Sequence, residues 1–223
     1  MKTSKYFVIG YAAFILLGLF VLYALAGTQG KECRAKEHHM YRAEKDLQPF
    51  SVVVAEEGVN FRLKTANQFK AVLFSRKDTA LKVPDYKIKN DTLFLTKATI
   101  TKGIQPLFIG KQFKAVIGKQ NNRINFEHIK SDDKLLLQLN KGKVWGQVTA
   151  PEVTVEAQYS EVNLNHSKID QLKCNLLKTK SYYHGNNINT IEATLREHSK
   201  IYGRAQTKII LDVDKSSSYN IHK

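Results

Sequence analysis

Four serines, Ser160, Ser181, Ser199 and Ser217, recur at nearly even spacing, and His166, His184, His198 and His222 recur close to them. Serine, histidine and an acid together raise the question of nucleophilic hydrolysis. Ser160 lacks the Gly-x-Ser-x-Gly setting of a nucleophile elbow. A triad also needs one unique convergence, whereas these residues recur as repeats. Asp132-Asp133 and Asp212-x-Asp214 are the best paired carboxylates. The first pair reads as a turn, and the second lies on one face of a strand by period two. A glycosidase needs two opposed carboxyl groups about 5 to 10 Å apart across a cleft, so a polysaccharide-active enzyme using Asp212 and Asp214 stays open as the alternative. His38-His39 points apart on any regular element, and no CxxC pair occurs, so neither a metal nor a cofactor is expected. Cys33 and Cys174 are too few for a disulfide framework, and Cys174 sits among inward-pointing neighbours like a small hydrophobe.

The elements that carry these residues alternate. Val153, Val155 and Ala157 lead to Ser160, then Val162 and Leu164. Cys174 and Leu176 lead to Ser181, then Tyr183. Ile191, Ala193 and Leu195 lead to Ser199, then Ile201. Ile209, Leu211 and Val213 lead to Ser217, then Tyr219 and Ile221. Apolar residues at every second position predict strands with one buried face. A repeat of about 20 residues predicts a solenoid, in which each unit buries its apolar row only by stacking on the next. The four serines would then form a ladder at a bend, where small hydroxyl residues suit tight turns and bond nearby backbone. The functional reading is a polar stripe flanked by Tyr159, Tyr182, Tyr183, Tyr202 and Tyr219, whose rings would stack on sugars. The structural reading puts those rings in the interior or over an end.

Before Pro151 the units are less regular. Strands are predicted at 51–55, 60–64, 69–75, 86–88, 93–95, 104–109, 113–117, 123–126 and 135–139, with a turn at Asn90-Asp91. None of this half shows sustained helical periodicity, so the class is all-β.

At the other end, Tyr6 to Ala26 is uncharged and almost wholly apolar. As a helix it would be about 30 Å long, enough to span a bilayer core. The expected organisation is a basic tail at 1–5, a transmembrane signal anchor at 6–26, a polar juxtamembrane stalk at 27–48 and a β-domain at 49–222, regular from 153. The rival for 6–26 is a cleaved signal peptide ending at Ala24-Leu25-Ala26. Lys31, Arg34, Lys36, Arg42 and Lys45 outnumber Lys2 and Lys5 and by a bare count favour a cytoplasmic C-terminus. A large domain translocates largely regardless of charge, and a short basic start resembles an export leader, so a periplasmic or surface-exposed domain is the expectation.

The net charge is +15, concentrated in residues 50–150, where 18 Lys and Arg face 8 Asp and Glu; residues 151–223 hold 10 against 8. Such a field attracts anionic polysaccharide or lipid head groups, or else merely keeps strand edges soluble. No nucleic-acid module is recognisable, and no nucleic-acid partner is expected.

Gly58-Val59-Asn60-Phe61-Arg62-Leu63, Ile88-Lys89-Asn90-Asp91-Thr92-Leu93-Phe94-Leu95, Phe113-Lys114-Ala115-Val116-Ile117 and the serine-centred repeats behind an export segment resemble the head-GIN domain family of candidate autotransporter adhesins. The resemblance covers roughly 49–222. It implies a right-handed, single-strand-type β-solenoid (a β-helix) exposed to periplasm or surface, with no established chemistry. The bulky Tyr159, Tyr182, Tyr183 and Tyr202 beside the serines, and the richness in lysine, depart from its pattern. The function expected from all this is a non-enzymatic binding, adhesion or structural module of the cell envelope. A further alternative is an envelope sensor, which would need a membrane protein partner because only the short basic tail precedes the span.

Overall fold

A computed structural model describes residues 41–75, 86–96 and 105–222. The chain divides into two compact units, 1–40 and 41–223, and the first lies outside the described residues. So do the anchor expected at 6–26 and His38-His39. Among the described residues no helix is long and apolar enough to cross a membrane.

Among the described residues, the second unit is built of strands alone. In order these are β1 (Tyr41–Asp46), β2 (Val52–Ala55), β3 (Asn60–Thr65), β4 (Lys70–Ser75), β5 (Lys87–Lys89), β6 (Thr92–Leu95), β7 (Leu107–Gly110), β8 (Ala115–Gly118) and β9 (Arg123–Lys130). They continue with β10 (Lys134–Asn140), β11 (Lys143–Gln158), β12 (Glu161–Leu164), β13 (Lys168–Leu177), β14 (Lys180–Tyr183), β15 (Asn187–Arg196), β16 (Lys200–Arg204), β17 (Lys208–Val213) and β18 (Ser218–His222). From β8 onward the chain winds as successive rungs of parallel strands, giving a β-solenoid of about six turns. One wall runs β8–β10–β11–β13–β15–β17, and a second runs β9–β11–β12–β14–β16–β18.

Period-two alternation decides what faces inward. Leu93, Val53, Val116, Leu137, Val155, Cys174 and Ala193 are partners in adjacent strands and form one buried interior row. Each fully buried aliphatic in such a row contributes about 1.5–3 kcal/mol. Cys174 takes its place there as a buried free thiol, its pKa pushed up to about 12 by burial, with the Tyr183 hydroxyl 3.2 Å away.

The N-terminal end is not a plain continuation of the stack. β2 lies between β6 and β8, and β3 between β7 and β9. The rung made first in sequence is therefore enclosed by two made later. Beyond it, β5 pairs antiparallel with β6, and β4 antiparallel with both β7 and β1. The outermost strands, Lys-Ile-Lys and Tyr-Arg-Ala-Glu-Lys-Asp, are short or charged, which discourages pairing with another chain. β1 occupies residues 41–46, expected in the stalk, because Lys70 reaches Glu44 (3.1 Å) and Leu47 donates its N–H to the Phe69 carbonyl (2.9 Å). The predicted turn at Asn90-Asp91 is present, with φ of 49° and 60°, the left-handed pair a two-residue hairpin favours.

Candidate functional site

At the corner between the two walls each rung makes the same move. Asn121, Lys141, Tyr159, Lys178 and His198 have φ between 47° and 65°. Each immediately precedes a buried residue: Asn122, Gly142, Ser160, Thr179 or Ser199. The left-handed residue turns the chain, and at every rung but that of Gly142 the next side chain takes up backbone groups the turn leaves unpaired. Ser160 Oγ accepts the Gly142 N–H (3.1 Å), Thr179 Oγ1 the Ser160 N–H (3.2 Å), Ser199 Oγ the Thr179 N–H (3.2 Å), and Ser217 Oγ the Ser199 N–H (3.1 Å). The hydroxyls donate onward, from Ser160 to the Gln158 carbonyl (2.6 Å), from Thr179 to Leu177 and Ala157 (2.9 and 3.0 Å), and from Ser199 to Arg196 and Leu176 (2.7 and 2.9 Å).

Ser160, Ser199 and Ser217 thus share one ladder, and the fourth member is Thr179. Ser181 stands further along, in register with Val162 and Ile201 inside the second wall, and is fully buried. The ladder hydroxyls are engaged with backbone, so these residues fasten one rung to the next. Replacing Thr179 by Val keeps the shape and removes the hydroxyl. We expect chemical denaturation of residues 41–223 to show a loss of about 1.5–3 kcal/mol, since the Ser160 N–H is left buried and unpaired. A second corner repeats the device: Ser167 Oγ accepts the Val148 N–H (2.9 Å), and Asn186 Oδ1 accepts the Ser167 N–H (2.8 Å).

The tyrosines divide. Tyr183 is fully buried beside Cys174. Tyr159 is a corner residue, 48% exposed, with the Lys178 ammonium 5.3 Å from its ring. Tyr182 and Tyr202 point outward from β14 and β16 as adjacent partners, and their rings stack at 5.1 Å and 6°. Register extends this pair into a row that sequence reading did not assemble: Asn125, Trp145, Asn163, Tyr182, Tyr202 and Asn220, one per rung. Along one side runs a column of Arg123, Lys143, Glu161, Lys180 and Lys200, in which Lys143 is paired with Glu161 (2.6 Å) and the other three cations are exposed. On the other side lie His184, its ring 6.2 Å from Tyr182, and Arg204. At about 4.8 Å per rung, the stretch from Trp145 to Tyr202 is about 14 Å long. It presents aromatic surface, side-chain amides and positive charge on one wall.

The carboxylates of the enzymatic alternative are committed elsewhere. Asp212 pairs with Arg196, which with its hydrogen bond holds the carboxyl below its usual range. Asp214 accepts the backbone N–H groups of Glu197 (2.6 Å), Ser217 (2.8 Å) and Ser216 (3.0 Å), which hold its carboxyl lower still.

Solved structures share the fold, and two carry the comparison. A candidate adhesin from Bacteroides fragilis is 12% identical, with a TM-score of 0.56 over 82% of this chain and 96% of its own. A candidate adhesin from Parabacteroides distasonis is 8% identical, with a TM-score of 0.57 over 83% and 97%. At such identities the likeness is one of fold, here an adhesin-like solenoid. No family model and no curated protein matches the chain.

Proposed function

We propose that the chain is an exported, membrane-anchored solenoid of the head-GIN type, which binds acidic polysaccharide or a similar envelope component and catalyses no reaction. The observation that carries this reading is the outward row Trp145–Asn163–Tyr182–Tyr202 beside Lys180, Lys200 and Arg123. Aromatic faces stack on sugar rings, amides bond hydroxyls, and ammonium or guanidinium groups pair with uronate or phosphate. The excess of cations in residues 50–150 would draw such a polymer in, with a dependence on salt. The anchor at 6–26 would keep the module at a membrane, its C-terminal domain outward.

The test is binding of residues 41–223 to immobilised acidic glycans, with neutral glycans as control. The double variant Tyr182→Ala, Tyr202→Ala should weaken binding at least about tenfold, since stacked aromatics typically contribute about 0.5–1.5 kcal/mol each beyond their area. Its melting temperature should change little. Thr179→Val should show the opposite pattern, with stability lost and affinity kept. Equal affinity of wild type and the double variant would remove the row from consideration. Protease access to the C-terminus in spheroplasts but not intact cells, at full length, would place the anchored domain in the periplasm.

A further inference from the structure

The two poles of the solenoid are finished differently. At the N-terminal pole the stack is closed by antiparallel β1, β4 and β5, with charged or very short outer strands. At the C-terminal pole β17 pairs only with β15 and β18 only with β16, so among the described residues each has one edge without a strand partner. The interior also opens there. Ile191, Ala193, Leu195 and Ile201 of the preceding rung are buried, whereas Ile209, Leu211, Val213 and Ile221 are half-buried, Ile210 is 42% exposed and Tyr219 58%. An unguarded apolar edge of this kind is a template for another strand.

We infer that this pole is the contact for a second copy of the chain, meeting tail to tail with β17 antiparallel to its twin. The sequence of β17 is self-complementary in one register. When Ile210 faces its own copy, Ile209 faces Leu211 on the interior side, and Lys208 faces Asp212 on the outer side, each pair occurring twice. Apolar thus meets apolar over 209–211, Lys208 meets an Asp212 that also holds Arg196 of its own chain, and Val213 falls opposite Thr207. Pairing of β17 with its own copy is isologous, and the charged or very short outer strands of the other pole discourage a second contact there, so association stops at two. The occupant is argued from this edge alone and does not depend on any ligand.

Sedimentation equilibrium of residues 41–223, a separate compact unit with its own core, reads the outcome. Wild type should be a dimer. Lys208→Asp sets two like-charged pairs across the contact and should weaken dimerisation at least tenfold. Asp212→Lys should do the same, and the double variant, with the charges exchanged, should recover the wild-type constant. Circular dichroism checks that each variant is folded. Should Asp212→Lys fray the last rung through loss of Arg196, Lys208→Asp alone carries the test. A wild-type monomer at every concentration reached, higher oligomers, or a dimer indifferent to Lys208→Asp would each overturn the inference.

Discussion

Gly146→Ala should leave residues 41–223 largely unable to hold the rungs on either side of it. Gly146 has φ of +135°, and a methyl group built on it would lie 2.0 Å from the Phe126 carbonyl oxygen and 2.8 Å from the carbonyl carbon. These are backbone atoms of the neighbouring rung, so no side chain can swing aside. The site coincides with an irregularity in the β9–β11 pairing, where Glu127 faces Gln147, Ile129 faces Val148, and His128 is the extra residue at φ 113°. The bulge turns both strands at once, and glycine lets the backbones approach. Strain in such a conformation and parting of the two rungs together should cost at least about 3–4 kcal/mol. Urea denaturation measures it. A loss under about 1 kcal/mol, the scale of an ordinary Gly–Ala exchange in a strand, would mean that the bulge relaxes without harm.

Asn122→Asp should be nearly as damaging, although it changes neither size nor shape. Asn122 is 1% exposed. Its Nδ2 donates to the carbonyls of Glu56 (2.6 Å) and Val59 (3.1 Å), and its Oδ1 accepts the Gln120 N–H (3.1 Å). Glu56 and Val59 belong to the turn between β2 and β3, in the rung enclosed by later strands, so this amide ties that turn to the stack. An aspartate would turn an acceptor toward two carbonyl oxygens in a dry site. It must either repel them or take up a proton. A loss of about 3 kcal/mol is expected, the scale of a buried polar group left with the wrong partner. The pH dependence separates the two routes. A protonated aspartic acid can donate one of the bonds, so the variant should gain stability relative to wild type as pH falls through the carboxyl's folded pKa, which burial raises above its unfolded value. Parallel pH curves for variant and wild type would show that the site is open to water.

The all-β class and most strand positions were legible because inward alternation is a local property. The length of the repeating unit was legible because β10 to β18 turn the same corner again and again. Ser181 was assigned to the ladder in place of Thr179 for a specific reason. Lys178-Thr179-Lys180-Ser181 offers two small hydroxyl residues of the same parity, and only the register with Ser160 and Ser199 chooses between them. Trp145 escapes a sequence reading in which the regular repeats begin at 153. Yet Trp145, Asn163, Tyr182, Tyr202 and Asn220 keep the even spacing of a ladder that starts one rung earlier. The enclosed rung had no local signature at all. β2, β6 and β8 carry the same short alternating pattern, and nothing within any of them says which two will be neighbours. Residues 41–46 look like a linker because an edge strand facing solvent is charged for the same reason a linker is.

The enclosed rung also orders events in time. Val52 pairs with Thr92 and with Ala115, both far along the chain, whereas beyond β10 each strand meets its neighbour after a single turn of the coil. Closing the longer loops costs more entropy before any contact rewards it, and pairing across such separations is slow. As the domain emerges from the ribosome, β2 and β3 come early; each waits for β6 or β7 to cover one edge and for β8 or β9 to cover the other. The downstream coil can nucleate on its own short loops and grow back toward them. In this domain, then, the rung synthesised first is completed only by strands made later, and a helper that shields nascent strands would serve its beginning rather than its end.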